Sequence, residues 1–95
     1  MRVDAHPGDD VAGLVRGTRG ESVVLVIHPG RDDLAQALAL AAIGPLAVER
    51  APDRINAVVV GEGAGAAAVE AAVEAAVAFL DAAPSTTGQV LAVGT

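Results

Sequence analysis

The sequence predicts an α/β fold in three layers, a four-stranded parallel sheet with flanking helices, within one domain spanning residues 1–95. Three observations carry this expectation. Apolar runs rich in β-branched residues alternate with segments of helical period along the whole chain. The strongest runs are continuous rather than alternating in polarity, as strands buried on both faces are. No hairpin signal of the Asn-Gly type separates them, so the strands are joined by crossovers, which in parallel sheets are right-handed as a rule.

The elements follow in order. Arg2 to His6, RVDAH, is short and polar and suits a sheet edge. Asp9 to Arg16 is a short helix, with Asp9 and Asp10 expected in its first turn and Arg16 in its last, as the helix dipole prefers. SVVLVIH, from Ser22 to His28, is the strongest strand, and INAVVVG, from Ile55 to Gly61, reads the same way. Between them, Asp33 to Arg50 is helical but contains Gly44-Pro45, where a missing backbone donor and a ring clash must kink or split it. Ala64 to Asp81 is the clearest helix: Val69, Val73, Val77 and Leu80 recur on one face, and Glu70 and Glu74 mark the wet one. QVLAVG, from Gln89 to Gly94, is expected as a third fully buried strand.

Composition limits what such a domain can do. A chain of 95 residues buries roughly 60 to 70% of its unfolded surface. With 53% hydrophobic residues and one aromatic, Phe79, its core must be Val, Leu, Ile and Ala. A net charge of −6, no lysine and six scattered arginines argue against nucleic-acid binding, which needs clustered positive charge. There is no cysteine, hence no disulfide framework and no thiolate metal site. MRVDAHPGDD lacks the apolar core of a signal peptide, and Gln36, Pro45, Glu70 and Glu74 interrupt every stretch long enough to approach a bilayer span. The expectation is a cytoplasmic protein with no membrane partner.

Two segments carry a resemblance. LAVERAPDRINAVVVG, from Leu46 to Gly61, resembles the segment of short-chain dehydrogenases/reductases (SDRs) that usually reads like LALELAPxGIRVNAVAPG. FLDAAPSTTGQVLAV, from Phe79 to Val93, is similar to that family's closing FLxSDxASxxTGQVLxVDGG, with Thr87-Gly88-Gln89-Val90-Leu91 as the most specific piece. Together they cover about a third of the chain, in the family's order. The resemblance implies a half-Rossmann domain, a truncated and degenerate member built on the last four strands of the family's sheet. It also implies what is missing. The glycine-rich turn that holds the dinucleotide belongs to the other half of the family fold. Counting back from Ala51-Pro52 places the family's catalytic Tyr and Lys at Asp32 and Gln36, and the chain has no tyrosine or lysine anywhere. The segment that would carry the catalytic serine is shortened to His28-Pro29-Gly30-Arg31. No catalytic residue and no cofactor are therefore assigned.

Two further features invite a ligand reading. The phrase HPGDD at His6 to Asp10 returns as HPGRDD at His28 to Asp33. In a parallel sheet both histidines reach the carboxyl edge, where α/β sheets bind ligands, alongside Asp9, Asp10, Asp32 and Asp33. His6, His28 and Asp32 are the candidate metal set, although Pro-Gly turns followed by helix-capping Asp account for the same residues and are the preferred reading. GEGAGA, from Gly61 to Ala66, offers Gly61, Gly63 and Gly65 as a candidate anion site. Glu62 would repel a phosphate there, so a flexible connection is preferred.

Two functions follow. The first is a non-catalytic, cofactor-free interaction or assembly subunit, oligomeric with itself or with a related SDR-type subunit. Its motive is LAQALALAAI, Leu34 to Ile43, which is apolar nearly all round and wants contacts on more than one side. The second is an accessory subunit completing an NAD(P)-dependent, ketoacyl-reductase-like complex whose cofactor comes from another chain.

Overall fold

The computed structural model of the chain describes residues 1–62 and 65–94. Four strands form one all-parallel sheet in the order β1-β2-β3-β4: β1 is Arg2–Ala5, β2 Ser22–Ile27, β3 Arg54–Val60 and β4 Val90–Val93. The helices are α1 (Val11–Arg16), α2 (Asp33–Ala41), α3 (Ile43–Arg50) and α4 (Ala66–Ala82). The predicted start of the last helix at Ala64 lies outside the described residues. No described helix is long and apolar enough to cross a membrane.

β2 and β3 are buried on both faces because alternate residues of each are apolar on both sides. Val23, Leu25, Ile27, Ile55 and Ala57 meet Val11 and Val15 of α1, Ala39 of α2 and Ile43 and Leu46 of α3. Val24, Val26, Val58 and Val60 face the other way, onto Val73, Val77 and Leu80 of α4. The result is a three-layer sandwich with α1, α2 and α3 on one side and α4 alone on the other.

This arrangement corrects the expectation of uniform handedness. The chain steps across the sheet in one direction from β1 to β4, yet the first two crossovers lie on one face and the third on the opposite face. The third crossover therefore has the opposite hand to the first two. The cause is coverage: without α4 the valine rows of β2 and β3 on that face would be left in water.

Other local expectations are corrected too. Asp9 and Asp10 precede α1, whose first turn holds no acidic residue. The break expected from Gly44-Pro45 is present but falls at Ala42, which ends α2 and starts α3 three residues before Pro45. β4 is an edge strand with alternate residues exposed, not a buried one. Phe79 is solvent-exposed on α4, and the hydrophobic core is Val, Leu, Ile and Ala, as the composition required.

β4 pairs only with Ala57 to Val60. The amino-terminal half of β3 is held by the loop before β4. The Thr87 hydroxyl accepts from the Ile55 N–H at 3.1 Å, and the Gly88 N–H donates to the Ile55 carbonyl at 2.7 Å. Gly88 has φ +74°, a left-handed conformation that costs other residues energy. Asn56, fully buried, donates through Nδ2 to the Thr86 carbonyl at 3.0 Å and accepts the Gln89 N–H on Oδ1 at 3.0 Å. Arg54 donates to the carbonyls of Leu80, Asp81 and Ala83, tying the carboxyl end of α4 to the start of β3.

Asn56→Ala leaves a donor and an acceptor unpaired in the interior and is expected to cost about 2 to 4 kcal/mol in urea unfolding. A loss below about 0.5 kcal/mol, within the range of ordinary surface substitutions, would contradict this role.

Candidate functional site

The two repeated turns meet at the carboxyl edge of the sheet. Parallel pairing sets Ala5 beside Ile27, and the His28 N–H continues the ladder onto the Ala5 carbonyl at 2.9 Å. His6 and His28 therefore leave the sheet side by side, with rings stacked at 4.4 Å between centroids and 10° between planes. Two residues before His6, and so on the same face of the strand, stands Asp4. Its Oδ2 lies 2.9 Å from His28 Nε2. Ligand atoms of Asp4, His6 and His28 all lie within 4.8 Å of one another.

Each turn is built to hold its histidine. The Asp9 N–H donates to the His6 carbonyl at 3.0 Å, and the Asp9 carboxylate accepts the His6 N–H at 2.9 Å. Arg31, the extra residue of the second phrase, donates to the His6 carbonyl at 2.8 Å and reaches the His28 carbonyl at 3.4 Å, bridging the two turns. Gly30 has φ +120°, and a Cβ there would come within 2.7 Å of the Pro7 ring, so the turns can approach only with glycine at this position.

The predicted metal set is thus corrected in one member. His6 and His28 do come together, but Asp32 does not join them: its carboxylate accepts the Ala35 N–H at 2.7 Å and caps α2. Asp33 lies in the first turn of α2, and Asp10 precedes α1 without a side-chain capping bond. The carboxylate at the histidines is Asp4. The period-two spacing of Asp4 and His6 was the available signal.

Behind the triad, Arg2 donates to both Asp4 oxygens at 2.8 and 3.1 Å and to Glu70 of α4 at 2.6 and 3.3 Å. Hydrogen bonding from Arg2, opposed by partial burial and aided by His28, holds the Asp4 carboxyl down at about 2. His28 also walls a cleft of about 470 Å³ at the ends of β2 and β3, beside Pro29, Val60, Glu62, Val69 and Glu70. A second cleft of about 440 Å³ lies on the other face between α1 and α2, lined by Val11, Ala12, Ala35 and Leu38 among others.

A family model described as SDR-like, short chain dehydrogenase-like protein, matches residues 4–93. The chain belongs to this SDR-like family. No curated protein and no solved structure matches it.

Within this SDR-like chain, the two resembling segments are the ones that lock together at the start of β3, through Asn56 and Thr86 to Gln89. The residues in register with the SDR tyrosine and lysine have other roles. Asp32 is a helix cap, and Gln36 places a buried Oε1 that has no hydrogen-bond partner among the described residues. Neither side chain offers a phenol or an ammonium, so these positions do not fit SDR hydride chemistry. Of the candidate anion site, Gly61 donates its N–H to the Val93 carbonyl at 2.8 Å and so cannot offer it to a ligand. Gly65 is the residue before α4, and Gly63 lies outside the described residues.

The lowered Asp4 value sets a pH dependence. A carboxyl depressed in the folded state stabilises the protein fully above the ordinary carboxylate range, and that contribution disappears as pH falls through about 2. Carboxyl-detected NMR titration is expected to place Asp4 well below a typical aspartate and to return it toward the ordinary value in Arg2→Ala. An Asp4 that titrates normally in the parent protein would refute the ion pair.

Proposed function

We propose that this SDR-like chain is a non-catalytic assembly subunit that carries no nicotinamide cofactor by itself and functions as an oligomer. The observation that supports this best is an uncharged stripe on the outer side of α2 and α3. Leu34, Leu38 and Val48 are 70, 63 and 79% exposed. Exposed Ala37, Ala41, Gly44 and Pro45 lie between them, and Ala39 is the only buried residue of α2. A helix with so apolar an outer side and so small a buried one is built for a second contact surface.

A second copy of the same chain is the occupant that the chemistry favours. The stripe has no charge to repel its own image in spite of the net charge of −6. Small residues at Ala37 and Ala41 allow helices to approach closely, and a twofold contact between identical faces is the commonest form of assembly. Absence of tyrosine and lysine from the sequence supports the non-catalytic half of the reading.

One observation favours a second reading, an accessory subunit of an NAD(P)-dependent oxidoreductase. β1 lies at the edge of the sheet with its outer side unpaired among the described residues. In the resembled fold, the sheet continues past that edge into the cofactor-binding half. A related subunit could extend the sheet there.

Light scattering at micromolar concentration is expected to give twice the chain mass, and Leu38→Asp is expected to halve it while circular dichroism stays unchanged. A monomeric parent protein would refute self-assembly. The readings separate on cofactor: NADPH fluorescence enhancement by a co-purified complex but not by the chain alone supports the accessory role, and enhancement by the chain alone contradicts both.

A further inference from the structure

We infer that Asp4, His6 and His28 form a binding site for a divalent transition metal ion, with the remaining positions open to water beside the cleft. Three elements of the fold converge to make it. β1 carries Asp4 and leads into His6 on the same face, β2 leads into His28 alongside by parallel register, and the Pro-Gly turns fix the backbone of both histidines.

The donor set selects the class of ion. Two imidazoles and one carboxylate suit divalent iron, cobalt, nickel and zinc, all of which accept this combination with further positions left to water. The Nε2 to Oδ2 separation of His28 and Asp4 is 2.9 Å, a hydrogen bond that already aims both atoms at one point between them. The ion takes the place of the proton between those two atoms, and the His28 ring then carries its proton on Nδ1.

His6 must move, and it is free to. A metal lies in the plane of each imidazole that binds it, and two rings stacked at 10° cannot share one ion. The His6 ring is exposed and makes no side-chain hydrogen bond among the described residues, while its backbone is held at both N–H and carbonyl. Rotation about its side-chain torsions gives up the stack without disturbing the turn. Charge favours the cation as well. Arg2 faces two carboxylates, Asp4 and Glu70, and Arg31 on the His6 carbonyl is matched by Asp9 on the His6 N–H, so with neutral imidazoles these groups together keep one negative charge.

The test uses the untagged chain with Ni²⁺ and Co²⁺. Calorimetry is expected to show one Ni²⁺ bound per chain, weakened about tenfold or more in His6→Ala and in His28→Ala separately. His6→Ala alters only an exposed ring, so it reports binding without unfolding the domain. Ni²⁺ is expected to raise the melting temperature of the parent protein and not of His6→Ala. The Co²⁺ complex is expected to show visible bands that weaken in His6→Ala and in His28→Ala. No stoichiometric Ni²⁺ binding by the parent protein, or equal affinity in His6→Ala, overturns the site.

Discussion

Burial of β2 and β3 on both faces is the constraint from which the rest of this small domain follows. Each strand is apolar on both sides, so each needs a helical layer above and below. Three short helices fill one side. The other is covered by α4 alone, and to reach it the chain must cross with the opposite hand. The ordinary preference for right-handed crossovers is here outweighed by the free energy of hiding Val24, Val26, Val58 and Val60, at roughly 1.5 to 3 kcal/mol for each fully buried side chain. The position of α4 in turn creates the cleft beside His28 and brings Glu70 onto Arg2, which holds Asp4 ionised.

The architecture was legible because its signals are local and strong. SVVLVIH and INAVVVG are strands by composition, Gly44-Pro45 announces a break, and Val73, Val77 and Leu80 declare the inner face of α4. What could not be read is which side of the sheet a helix takes, because an apolar stripe fits either face. The exposed edge position of β4 was hidden for a similar reason: VLAV is apolar enough for a central strand, and its place in the order depends on a neighbour the sequence does not name. Asp9 and Asp10 were misplaced by the few residues over which capping signals are ambiguous.

The candidate site was half legible for a related reason. The repeated phrase drew attention to His6 and His28, and parallel pairing was enough to make them neighbours. Selecting the carboxylate needed the pleat. Asp32 is close in sequence but is occupied by the Ala35 N–H, whereas Asp4 lies on the strand itself, on the same face as His6. The turns therefore serve two ends at once, starting helices and holding a pair of imidazoles. The interlock of Asn56 with Thr86 to Gln89 joins the two resembling segments, both within residues 4–93 that match the family model, whereas Asp32 and Gln36 supply neither a phenol nor an ammonium.

Placement of α4 opposite the other three helices is the claim that most of this account rests on, and methyl–methyl nuclear Overhauser contacts measure it directly. Val73, Val77 and Leu80 are expected to contact Val24, Val26 and Val58. Contacts from the same three residues to Leu25, Ile27 and Ile55 would put α4 on the other face and contradict it.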